Sequence, residues 1–152
     1  MNDETEIILK MHEEQWTHAR HSEDQRATVT NLVITLASAG IAFIAQTGLN
    51  PTKLPITVLL IILGIYGAFT SEKLSERSRY HIIRARLLRK RIDELHPNAK
   101  IEQLKEEAET YHKSRDSFLY EFKLHYLWLT LHLAISLTGI VLTIVVLGAA
   151  QK

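Results

Sequence analysis

The chain contains no cysteine. Disulfide staples, thiolate nucleophiles and zinc–sulfur sites are therefore excluded. Phosphate-binding loops, GxGxxG and HExxH are also missing, so the sequence offers neither a cofactor cradle nor a catalytic constellation. The expectation is a protein without cofactor that is not an enzyme. Nothing alternates at period two over the roughly ten residues a membrane-barrel strand shows. Charge is lacking in blocks: none falls between Arg26 and Lys53, between Lys53 and Glu72, or between Lys123 and Lys152.

Those blocks are long enough to matter. A spanning helix needs about 20 mostly apolar residues, which predicts spans over 27–48, 54–71 and 125–149. A helix in the core of a soluble bundle keeps a charged face, and none of these does. The expected fold class is an all-α integral membrane protein. It has three transmembrane helices, a cytoplasmic helical hairpin and an N-terminal helix. The expected divisions are 1–26 for the N-terminal helix, 27–71 for two spans, 72–124 for the hairpin and 125–150 for the third span. Residues 1–26 hold seven acids and three Lys/Arg. That is the wrong sign for a signal peptide, so the first span is expected to be retained.

Lys and Arg are unevenly placed. Residues 72–124 hold thirteen, the loop after the first span only Lys53, and the C-terminal tail only Lys152. Loops rich in Lys/Arg stay in the cytoplasm. The N-terminus and 72–124 are therefore expected inside, and the C-terminus outside. Tyr66, Phe69, Tyr126 and Trp128 lie near the cytoplasmic ends of their spans, where interfacial aromatics belong.

The stretch RSRYHIIRARLLRKR, residues 77–91, holds seven Lys/Arg and no acid. Part of that charge explains itself as an anchor on anionic lipid, but Arg86 to Arg91 lie about 22–30 Å further along a helix. On a helical wheel Arg77, Arg84 and Arg91 form one ridge, and Arg79, Arg86 and Lys90 a second. Tyr80, Ile83 and Leu87 lie between them, while Leu88, Ile92 and Leu95 form another apolar side. Two apolar sides predict two neighbours: the hairpin partner, and either the N-terminal helix or another subunit. An anionic ligand is expected on Arg77, Arg79, Tyr80, Arg84, Arg86, Arg89, Lys90 and Arg91.

His96-Pro97-Asn98 breaks the first hairpin helix, and a second is expected from near Ala99 with Asn98 as its cap. Ile101, Leu104, Ala108, Tyr111, Phe118 and Phe122 follow heptad spacing. The same register continues through His125, Leu129, His132, Ser136, Gly139 and Thr143. One long helix is therefore expected, with both seams facing protein. In the N-terminal helix, Ile7, Ile8 and Met11 give a short apolar face. Its acids are expected to pair with the basic helix. Trp16, Arg20 and Asp24 at i,i+4 spacings suggest a cation–π and an ion pair, and a role in gating or coupling. Glu14, His18 and His21 share a face but form no complete metal motif.

Polar residues inside the spans carry the sharper signal. Thr28, Asn31, Thr35, Ser38, Ala42 and Ala45 line one face of the first span. His132, Ser136, Gly139 and Thr143 line one of the third, and Gly64 and Gly67 offer close approach in the second. Small residues suit ordinary helix packing, whereas Asn31 and His132 at depth usually face protein or water. Asn31, Thr35, Ser38, His132, Ser136 and Thr143 are the candidate pore-lining residues. Three spans are too few to enclose a pore, so a channel requires an oligomer.

With EEQWTHARHSEDQRATVTNL (residues 13–32) running into the first span, and the basic stretch 77–91 beyond the second, the layout resembles small bacterial antiphage-defence membrane effectors. These are SLATT-type effectors and the channel subunit of the Hailong system. The resemblance covers the architecture and rests on no diagnostic motif. It implies a homo-oligomeric channel, expected as a tetramer, in the bacterial inner membrane, which depolarises the membrane and arrests or kills the infected cell. It further implies control by a nucleotide or oligonucleotide, such as single-stranded DNA, made by a partner nucleotidyltransferase. The arginine ridges would then contact phosphates and Tyr80 could stack a base. Two other readings stand beside it: a membrane-anchored adaptor that presents the hairpin to a protein partner without a pore, and a small membrane enzyme or metal transporter that uses its histidines.

Overall fold

The computed structural model describes residues 3–115, 120 and 123–149, and among them all regular structure is helical. The α-helices are α1 (Asp3–Thr47), α2 (Leu54–Leu95), α3 (Ile101–Arg115) and α4 (His125–Ala149). Short 3-10 turns occupy Pro51–Lys53 and Pro97–Ala99. Helices α1, α2 and α4 each contain a stretch long and apolar enough to cross a membrane.

Local chemistry sets the ends. Asp3, Glu4 and Glu6 occupy the first turn of α1, where the positive end of the helix dipole favours acids. The helix ends at Gly48, whose φ of 77° lies in the left-handed region and whose N–H bonds to the Ile44 carbonyl at 2.9 Å. A residue without Cβ adopts that conformation freely. Asn50 then accepts the Thr52 N–H at 3.1 Å, and Pro51 opens the turn leading into α2.

The passage from α2 to α3 departs from expectation. Helix α3 begins at Ile101 rather than near Ala99, and Asn98 does not cap it. Residues 97–99 are taken up in the 3-10 turn, and Lys100 reverses the chain with a φ of 50°. The first open N–H, that of Ile101, is met by Asp93 Oδ1 at 2.7 Å, reaching over from α2. The single long helix from 99 to 149 is not observed either. Lys123 lies outside regular structure, Leu124 is in a turn, and the Leu127 N–H bonds to the Leu124 carbonyl at 3.1 Å, starting α4 afresh. A shared heptad register fixes which side of a helix packs, not whether the helix is continuous. Phe118 and Phe122 of that register lie outside the described residues.

The chain divides into two compact units, Met1–Asp24 with Ser75–Lys123, and Gln25–Leu74 with Leu124–Lys152. In the first, α1 and α2 run antiparallel. Glu4 meets Arg91, Thr5 meets His96, Gln15 meets His81 and Ala19 meets Ser78. Most of the buried residues are small or polar, namely Thr5, Gln15, Ala19 and Ser22 of α1 and Ser75, Ser78 and Ala85 of α2, with Ile8 and Ile92 as the larger apolar ones. Ser78 Oγ donates to the Ala19 carbonyl at 3.3 Å, a bond possible only where the two backbones approach closely. Helix α3 joins α2 through Arg89 Nε to Glu102 Oε1 at 2.8 Å, and buries none of its residues.

In the second unit three apolar segments pack on one another. Val33, Ala37 and Ile44 of α1, Thr57, Leu60, Ala68 and Ser71 of α2, and His132, Ser136 and Val146 of α4 are buried. Glycine sets the spacing. A Cβ on Gly64 would lie 2.5 Å from the Ser136 nitrogen, and one on Gly139 would lie 2.7 Å from the Ile61 nitrogen. Small residues at helix contacts are what lets backbones meet where lipid supplies no hydrophobic drive.

Candidate functional site

Two places in the molecule gather chemistry that packing alone does not require: the polar seam of the second unit and the exposed side of α2 in the first.

The seam of the second unit is closed. His132 is fully buried, its ring lies directly against Gly67, and its Nε2 shares a hydrogen bond of 3.2 Å with Thr30 Oγ1. Ser136 lies over Gly64. Thr143 donates to Thr57 Oγ1 at 2.9 Å. One turn from His132, the Arg26 guanidinium stacks on Trp128 at 5.5 Å. His132 Nδ1 and Trp128 Nε1 are buried without a hydrogen-bond partner among the described residues, a costly condition in a dry interior.

The expected pore-lining set therefore divides. His132, Ser136 and Thr143 belong to the packed interior. Asn31, Thr35 and Ser38 are exposed on α1, with the Thr35 hydroxyl donating to the Asn31 carbonyl at 2.8 Å. The face of α1 that packs is instead Arg26, Thr30, Val33, Ala37 and Ile44. Thr30 and Thr57, the partners of His132 and Thr143, were missed. The signal for Thr30 was the apolar spacing Val33–Ala37–Ile44, which sets the buried register of α1 and carries Thr30 with it.

On α2 the expected ligand residues fall into two groups. Arg89 and Arg91 are engaged within the chain. Arg89 binds Glu102 and, chiefly through that hydrogen bond, holds the Glu102 carboxyl below the usual carboxylate range. Arg91 reaches Glu4 and Glu94, each at 3.2 Å. Arg77, Arg79, Arg86 and Lys90 are exposed and meet no acid among the described residues. Arg84 lies 5.6 Å over the Tyr80 ring. Tyr80, Ile83 and Leu87 are 52%, 55% and 64% exposed, so the second apolar side of this helix is left open, whereas Ile92 on the other is buried. The α3 seam is open too, with Leu104 and Tyr111 exposed.

Trp16, Arg20 and Asp24 line one shallow cleft of about 230 Å³ with Glu23 and Ser78. The indole does not reach for Arg20. Its Nε1–H donates to His12 Nε2 at 3.1 Å. Beside the cleft, the His18 and His81 rings lie 5.1 Å apart, and His81 Nδ1–H donates to Gln15 Oε1 at 2.9 Å. Desolvation, then the neighbouring His18, Arg77 and Arg84, push His81 below its ordinary pKa. His18 Nε2 lies 3.6 Å from Glu14, and no three metal-binding side chains converge among the described residues.

These features define an all-helical protein with three helices fit to cross a membrane and a charged helical unit. No protein-family model, no curated protein and no solved structure matches the chain.

Proposed function

We propose that the chain is one subunit of a homo-oligomeric channel in the bacterial inner membrane, an effector of antiphage defence that depolarises the cell. It acts without cofactor or catalysis, with residues 72–124 and the N-terminus in the cytoplasm. One observation carries the oligomer: the exposed stripe Asn31, Thr35, Ser38, Ala42 and Ala45 on α1. A side-chain amide within a span is at home against protein or water, not lipid. Small residues at this spacing permit close helix contact, and the chain uses the same composition where it packs on itself. The glycine contacts close α2 on α4 at Gly64, Gly67 and Gly139, so the path is placed between copies, lined by the Asn31 stripe. An anionic nucleotide or oligonucleotide acting on the basic face of α2 biases the assembly.

The test is membrane potential in cells expressing the chain. Depolarisation that Asn31→Leu with Thr35→Val abolishes is the expected result. An unchanged potential, with the protein in the membrane and candidate ligands supplied, overturns the channel. The exposed Leu104 and Tyr111 of α3 favour a second reading, an adaptor for a protein partner. In that case poly-leucine spans would preserve function.

A further inference from the structure

The exposed side of α2 has a specific pattern. Tyr80, Ile83 and Leu87 sit at a/d spacing, and the flanking e/g positions are Arg79, Arg84, Arg86 and Arg91. Such a seam is built for another helix. It cannot pair with itself across a two-fold axis, because every flanking contact would set arginine against arginine. Its occupant must bring carboxylates.

The same chain has a surface that does. Residues 3–14 hold five acids, Asp3, Glu4, Glu6, Glu13 and Glu14, against one base, Lys10. Ile7 and Met11, one turn apart on the same side of α1, are 54% and 38% exposed. Glu6 and Glu13 are exposed and meet no cation among the described residues, just as Arg79 and Arg86 meet no acid. The levels also match. Within one chain Glu4 pairs with Arg91 and Gln15 with His81, so residues 4–15 of α1 run alongside 81–91 of α2. A copy related by rotation about an axis parallel to these helices presents its acidic arm at that level.

We infer that the Tyr80–Ile83–Leu87 face receives the acidic start of α1 from a second copy of this chain. The contact is heterologous, the kind that closes into a ring. It rests on the homo-oligomeric reading above and gives it a subunit interface outside the spans. An anionic ligand on Arg79 and Arg86 would compete with the neighbour's carboxylates, so binding and assembly oppose each other at one surface.

The test is charge exchange, read as the mass of the full-length chain in lipid nanodiscs, with helix content checked by circular dichroism. Arg79→Glu with Arg86→Glu, and separately Glu6→Arg with Glu13→Arg, are each expected to lose the oligomer. The four changes together are expected to restore it. Higher salt should dissociate the wild type and the restored variant alike. Oligomers that survive both double variants overturn this interface while leaving the homo-oligomer standing. A fourfold variant that stays helical and monomeric also overturns it. A monomeric wild type removes the oligomer and the interface together. If the α1 exchange is silent while Arg79→Glu with Arg86→Glu abolishes binding of a single-stranded oligonucleotide, the face belongs to nucleic acid instead.

Discussion

The two units pack helices by different means. In the second, glycine, alanine and hydroxyl side chains bring backbones together, and the His132 imidazole is fully buried. In the first, the contact is also narrow, but its small residues are bordered by Gln15–His81, Thr5–His96 and Arg91–Glu4, bonds that water can replace. The lesson is that small residues form the seam of both units. What differs is the border: close backbone contact in one unit, exchangeable polar pairs in the other.

The sharpest way to break that contrast is to add a single methyl to the second unit. In Gly64→Ala the new Cβ meets backbone, which cannot swing aside. A loss of about 1–3 kcal/mol is expected in an unfolding titration in micelles. Gly40→Ala, whose nearest neighbour is the Ile56 side chain at 3.3 Å, should cost far less. Equal losses would show that the backbone contact is not the critical one.

An effect of similar size, largely recoverable by a second change, follows from the Thr30–His132 bond. His132→Leu strands the buried Thr30 hydroxyl, at a cost of about 1–3 kcal/mol, and adding Thr30→Val should recover much of it. A thermodynamic cycle with no coupling between the two changes would rule the bond out as a stabilising pair.

The smallest expected effect lies in the first unit. His81 is held below its ordinary value of 6.5, so the fold favours its uncharged ring. That stabilisation is complete above pH 6.5 and is lost as the pH falls through 6.5 toward the depressed folded value. Arg77, Arg84 and His18 would oppose the new charge, while Glu14 beside His18 offsets part of it. The melting midpoint should drop on mild acidification in the wild type and drop less in His81→Gln. The same slope in both would assign it elsewhere.

Much of this was legible in the sequence. Uncharged runs revealed the three apolar segments, and the heptad through His132, Ser136, Gly139 and Thr143 marked the packed face of α4. On α1 the packed facet is not the polar stripe that stands out in the sequence. Polar residues in an apolar helix attract attention, yet Thr30 is buried while Asn31, one residue on, is exposed. Two facets of one helix both carry small and polar side chains, and only the partner helices choose between them. Likewise Pro97 announced a break after α2, but the acceptor that caps the restarted chain, Asp93, comes from the helix before, which no local cap rule contains.

Gly64, Gly67 and Gly139 also act mechanically. Each is a notch that holds one particular tooth of the facing helix. Sliding α4 by one turn, about 5.4 Å, would bring Ser136 or Trp128 over the notch that His132 fills, and the indole is far too large for it. The helices of this bundle are therefore detented against piston-like travel. Any motion within this unit has to keep α4 in its present register against α2.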